Sequence, residues 1–254
     1  MTHGEDQQPP AATVDGAREA LARYGNRTGR PAGTGLRALG AVVPGVRRVQ
    51  AQAEPYAAAW TRHNVTAVDA PGRRWVVLGD SMSQSVGAAA WDTGWVDQLV
   101  DDLEVAGHSP TVVNLSATGA RVTDVLDQQL PLLRVLPDTG AGPDLVTVLV
   151  GSNDLFAGGS VRRGLPAAFA ALVAALPHAA IVATLPQPRS AARRANVHVR
   201  AAGAAGRITV VDMATEGPRS WRGRLAADRF HPNDRGYAGI AAAFRPHVLE
   251  RLRS

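Results

Sequence analysis

Two residue types are missing from this chain of 254 residues: it has no cysteine, and all 27 of its Lys+Arg positions are arginine. Without cysteine there is no disulfide framework, no thiolate nucleophile and no cysteine-ligated metal. Without lysine there is no phosphate-binding P-loop, no Schiff-base amine and no lysine phosphate clamp. Aromatics are sparse at 5 %, and the 19 % of charged residues is not the content of a disordered chain. Long apolar runs are absent too. The longest early one, LRALGAVVPGV at 36–46, is too short to span a bilayer and contains a proline. The net charge of +5 comes without a dense basic block interleaved with aromatics, so nucleic acid is not an expected partner. The opening MTHGEDQQPPAATVDG is polar and carries acids, unlike a secretory signal. The expectation is a cytoplasmic protein with no integral membrane segment.

What is present is enough for a core: 45 % of residues are hydrophobic, and the length suits one domain with an extension. Residues 1–45, rich in Pro, Gly, Gln and Thr, read as a partly disordered extension with one short helix at 15–24. Residues 46–72 read as a helix packing on the core, since Val49, Ala53, Tyr56 and Trp60 fall at helical spacing and Pro55 kinks or restarts it. From 73 to 254 apolar runs alternate with helical stretches. Candidate strands are 75–79, 111–116, 145–151, 179–186 and 207–213, all β-branched-rich and nearly continuous in apolar character. Helices are expected at 92–106, 121–135, 161–176, 189–204 and 235–252. Alternation of this kind argues for an α/β fold with a doubly wound, five-stranded parallel sheet between helical layers. Ligands bind beyond the carboxyl ends of such strands.

The polar residues at those ends converge. Gly79, Asp80 and Ser81 follow the first strand, and NLSATG (114–119) spans the end of the second. Gly151, Ser152, Asn153 and Asp154 follow the third, and DRFHPND (228–234) comes after the fifth. A serine hydroxyl needs a base to become nucleophilic, histidine titrates near working pH, and a carboxylate fixes its tautomer. Asp228 stands three residues before His231, close enough to serve that histidine, and Asp234 is placed to cap the final helix. The Ser81 N–H, a glycine N–H and the Asn153 amide are suitable oxyanion donors. Each residue also has a plainer role: Ser81 as a helix N-cap, Ser83 and Ser85 as loop or cap residues, Gly119 and Asn153 as turn residues. Asp80 reads as a turn hydrogen-bonder and Asp154 as a buttress for the Asn153 loop. No metal is expected, and no cofactor.

The blocks GDS, NLSATG, GSND and DRFH, in this order, resemble those of the SGNH (GDSL-type) hydrolases, and their wording looks most like actinobacterial GDSL lipase/esterase-like proteins. The resemblance covers about 47–250. It implies a flavodoxin-like α/β/α fold, Ser81 as nucleophile, Gly119 and Asn153 as oxyanion donors beside the Ser81 N–H, His231 as base and Asp228 as its partner. The implied reaction is hydrolysis of a small-molecule carboxylic ester through an acyl-enzyme on Ser81. The first block reads GDSM where the family name has leucine.

Expected pocket walls are Trp91, Leu155, Phe156 and Trp221. Arg189, Arg193, Arg194, Arg219, Arg222 and Arg224 either attract an anionic group or are solvated surface. No long apolar lid is visible, which favours short-chain acyl or acetyl esters. Two other readings fit parts of the pattern: a phosphate- or nucleotide-binding module using the 79–87 loop at a helix N-terminus, or a catalytically silent interaction protein on the same fold.

Overall fold

The computed structural model describes residues 13–31, 40–142 and 144–253. Its centre is a sheet of five parallel strands: β1 (Arg74–Gly79), β2 (Thr111–Asn114), β3 (Leu145–Leu149), β4 (Ile181–Ala183) and β5 (Thr209–Val211), in the order β2-β1-β3-β4-β5. All six residues of β1 are buried, because helices cover both faces of the sheet. Successive side chains point to opposite faces. Val76 and Leu78 join one apolar layer with Leu165, Phe169 and Val199. Trp75 and Val77 join the other with Trp95, Leu99, Tyr237 and Phe244. All five tryptophans lie in or against this second layer.

The expected helices are present. They are Trp95–Val105, a continuous helical run over 122–134 with a π-helical turn at Val125–Gln129, Gly159–Ala175, Ser190–Ala204 and Asp234–Arg253. The strands are shorter than the apolar runs that announced them. The 145–151 run stops pairing at Leu149, and a helical turn, Ser152–Phe156, begins three residues later. The helix expected within 46–72 is two helices, Pro44–Gln50 and Ala53–Ala67, and Pro55 sits in the first turn of the second, where no N–H partner is lost. The final helix is capped by Asn233, whose Oδ1 accepts the Gly236 N–H at 3.1 Å. Asp234, expected as the cap, instead starts the helix and accepts the Ala89 N–H at 2.9 Å.

Of the segment read as a partly disordered extension, residues 1–12 and 32–39 lie outside the described residues. The part at 13–31 is packed into the domain. Helix Val14–Tyr24 buries Ala17 and Leu21 in the first apolar layer. Beyond it the chain runs along the loop that follows β2. The Tyr24 hydroxyl donates to Leu115 O at 2.8 Å, and the fully buried Asn26 amide donates to Asn114 O at 2.7 Å and Ser116 O at 2.9 Å.

This strand order places a switch point between β1 and β3. From β1 the chain goes outward to β2, then returns across to β3 on the other side. Loops leaving such neighbours in opposite directions open a crevice at the carboxyl edge.

Candidate active site

Ser81 opens a short 3-10 turn, Ser81–Gln84, directly after β1. Asp80 caps that turn, its Oδ1 accepting the Met82 N–H at 3.0 Å, while its carbonyl accepts the Ser83 N–H at 3.0 Å. The Gln129 side chain clamps the strand end by bonding both the N–H and the carbonyl of Gly79, each at 2.8 Å. Ser83 accepts from the Trp95 indole at 3.3 Å. Ser85 takes a left-handed conformation, φ 66°, as the cap of the turn. Both therefore have structural roles here.

His231 lies across the crevice. Ser81 Oγ and His231 Nε2 are 2.9 Å apart, and His231 Nδ1 lies 2.6 Å from Asp228 Oδ2. Asp228 Oδ1 accepts the Phe230 and His231 N–H groups, both at 3.0 Å, so one tight turn holds the carboxylate and aims the ring. That turn is anchored by an antiparallel bridge between Leu225 and Pro232. The turn also packs closely on Gly87: a Cβ there would stand 2.4 Å from Pro232 O and 2.8 Å from the His231 Cβ. The Tyr237 hydroxyl pins the same segment through Val86 O at 2.6 Å.

Two buried carboxylates near the serine have opposite electrostatics. Burial pushes the Asp80 carboxyl up to about 7, against the Met82 N–H that favours its charge. Burial pushes Asp228 up as well, but the hydrogen bond and charge of His231, with two backbone donors, outweigh it and hold Asp228 below its ordinary value. An ionised Asp228 keeps the proton on Nδ1 and leaves Nε2 free to accept the Ser81 proton. Asp154 also rises with burial, to about 6, while accepting the Val122 N–H at 3.1 Å.

A cleft of about 750 Å³ holds Ser81, Gly119, Asn153, Asp228 and His231 together. The Asn153 amide donates to Ala120 O at 2.9 Å, which leaves its second N–H for a ligand. Beside the cleft lies a smaller, largely apolar cavity of about 270 Å³, with Met82, Leu185, Met213, Trp221 and Asp80 among its walls. Phe156 and Phe230 line both cavities. Their rings meet edge-on at 5.4 Å, and the Arg189 guanidinium lies 4.8 Å above Phe156.

Of the expected pocket walls, only Phe156 borders the cleft with the serine. Trp221 lines the neighbouring cavity. Leu155 is fully buried in the first apolar layer, because it faces inward on the turn whose next residue, Phe156, faces out. Trp91 stacks edge-on against Trp60 at 5.1 Å and reaches neither cavity. Arg30 and Arg121 line the cleft; of the six arginines read as an anion-attracting group or as solvated surface, none lines it, and all but Arg224 are exposed. Arg30 and Phe230 escape sequence reasoning; only Phe230, inside DRFH, carries a positional signal. Among the described residues, no helix is long and apolar enough to cross a membrane. No cluster of His, Cys, Asp and Glu among them suits a metal ion.

Residues 77–238 match the model of the GDSL-like lipase/acylhydrolase family. The chain belongs to that family. It is accordingly a carboxylic ester hydrolase of the serine type, and the Ser81–His231 hydrogen bond is the contact such chemistry requires. No curated protein sequence matches the chain. Solved structures share the fold. A lipase/acylhydrolase from Enterococcus faecalis aligns at 20 % identity and TM-score 0.55, covering 70 % of this chain and 96 % of its own. A family 3 carbohydrate esterase from Clostridium thermocellum aligns at 17 % and 0.56, covering 72 % and 98 %. The psychrotrophic esterase EstA of Pseudoalteromonas sp. aligns at 18 % and 0.53, covering 72 % and 100 %.

Proposed function

We propose that this family member hydrolyses short-chain acyl or acetyl esters through an acyl-enzyme on Ser81. The observation that carries the proposal is the unbroken chain Ser81 Oγ···His231 Nε2, His231 Nδ1···Asp228 Oδ2 at 2.9 and 2.6 Å. His231 accepts the hydroxyl proton as Ser81 Oγ attacks the ester carbonyl. Asp228 stabilises the imidazolium that forms. The Ser81 and Gly119 N–H groups and the Asn153 amide receive the oxyanion. His231 then returns its proton to the departing alkoxide, and a water activated by the same ring releases the acid.

The short-chain preference rests on Phe156 and Phe230. They stand between the serine cleft and the apolar cavity, so an acyl chain entering the cleft meets two rings before it reaches apolar space. The test combines fluorophosphonate labelling, peptide mapping and hydrolysis of p-nitrophenyl acetate, butyrate and octanoate. Label is expected on Ser81, with Ser81→Ala losing at least about 10⁴ in kcat. Wild-type rates in the variant would refute the nucleophile, and a preference for octanoate would refute the chain-length reading alone.

A further inference from the structure

We propose that residues 24–30, which precede the family-matched region 77–238, are a built-in brace for the oxyanion site, with Thr28 and Arg30 as its positioning residues. The inference rests on the reading of the Gly119 N–H as an oxyanion donor.

The argument turns on one peptide unit. The Gly119 N–H and the Thr118 carbonyl belong to the same plane, and no peptide among the described residues is cis, so the two point in opposite directions. Whatever holds the Thr118 carbonyl therefore aims the Gly119 N–H. The Thr28 hydroxyl does so, donating to Thr118 O at 2.9 Å. Its own oxygen accepts the Arg30 N–H at 3.2 Å, which orients the hydroxyl. The next carbonyl, Gly119 O, accepts from Arg30 Nη1 at 2.7 Å, and the one after it, Ala120 O, from the Asn153 amide at 2.9 Å. Three consecutive carbonyls are thus fixed from outside the loop.

Such bracing answers a physical need. Gly119 has φ +78°, a conformation that favours glycine, and glycine is the residue that confines its own backbone least. An oxyanion donor works by being preorganised, so a donor on a glycine requires restraint from elsewhere. The brace is itself anchored. Arg30 forms a two-pronged pair with Asp124 at 2.7 and 3.1 Å, and Asp124 also accepts the Arg121 N–H at 2.7 Å. Arg27 bridges to Thr118 in parallel register. A hydrogen bond to the Thr118 carbonyl also polarises the amide and strengthens its N–H as a donor.

The test uses the full chain, with active sites counted by fluorophosphonate titration. Thr28→Val keeps the side-chain shape and removes the hydroxyl, and Thr28→Ser keeps the hydroxyl. In Thr28→Val, kcat per titrated site on p-nitrophenyl acetate is expected to fall about tenfold with KM within about twofold. The inhibition constant of a short alkyl boronic acid, whose tetrahedral adduct places an oxygen in the same hole, should rise by the same factor. Thr28→Ser should restore both. Should Thr28→Val fold poorly, Arg30→Gln carries the test, with a parallel loss in kcat and in boronate affinity. An unchanged kcat per site in the variant that folds overturns the proposal, as does a loss that the boronate does not share. If Asn153→Ala also leaves kcat intact, the oxyanion reading itself fails. If Asn153→Ala loses kcat while Thr28→Val does not, only the brace is refuted.

Discussion

The two cavities at the carboxyl edge of the sheet share Phe156 and Phe230 yet are built on opposite principles. The larger holds Ser81, His231 and Asp228, with every polar group of that chain partnered; the smaller is walled mainly by Met82, Leu185, Met213 and Trp221. Each also contains a buried carboxylate, and the contrast between these is instructive. Asp228 accepts from His231 and two backbone N–H groups and stays below the ordinary carboxyl range. Asp80 accepts, among the described residues, from Met82 N alone and is pushed up to about 7. Burial acts on both, so the number and charge of the donors decides which stays ionised at neutral pH.

The largest expected effect strikes the first cavity. Asp228→Asn should lower kcat by about 10⁴ with the fold intact, because the amide no longer holds Nδ1 in its protonated form. Steady-state kinetics with circular dichroism checks this. Asp80→Asn, by contrast, should cost less than about tenfold in kcat. Equal losses in the two variants would erase the distinction between the carboxylates.

Next comes the amide across the cleft. Asn153→Ala is expected to reduce kcat by about 10²–10³ while KM moves little, since its free N–H meets charge only in the transition state. A change confined to KM would make Asn153 a substrate-binding residue instead.

The third effect is thermodynamic, and its sign differs between the carboxylates. The raised value of Asp80 means the native state keeps a proton that the unfolded chain releases above about pH 4. Its presence therefore costs stability progressively as pH rises towards about 7. Asp80→Asn should match wild type near pH 4 and exceed it by about 4 kcal/mol at pH 8 in urea unfolding. Asp228 acts the other way: its contribution is present above the unfolded value of about 3.9 and is lost as pH falls through its lower native value.

The smallest effect concerns the wall between the cavities. Phe156, 49 % exposed, is the ring that can be removed without touching His231. Phe156→Ala should raise the octanoate-to-acetate ratio of kcat/KM about tenfold by joining the two spaces. An unchanged ratio would show that acyl chains leave the cleft by another route.

Much of this arrangement was readable in the sequence, for reasons specific to particular residues. Buried parallel strands announce themselves as continuous apolar runs; Ser81 and Asn153 follow such runs closely, and His231 stands in the DRFH block before the final helix. The segment at 13–31 gave no comparable sign after its short helix. Asn26, Thr28 and Arg30 attach it through polar side chains on backbone carbonyls, and contacts of that kind leave no hydrophobic period to detect. Leu155 and Phe156 illustrate a second limit. Neighbours on a helical turn point about 100° apart, and composition does not say which faces the core. Trp91 found its partner in Trp60 of a distant helix, a pairing that spacing along the chain does not encode.

The confinement of all five tryptophans to one layer has an optical side. Indole emission in this protein reports one face of the sheet. A fluorescence melt follows the packing of Trp60, Trp75 and Trp95, while the opposite face, with Phe169 and Val199, loosens unseen. Trp221, on the wall of the smaller cavity, makes the same emission sensitive to whatever enters that space.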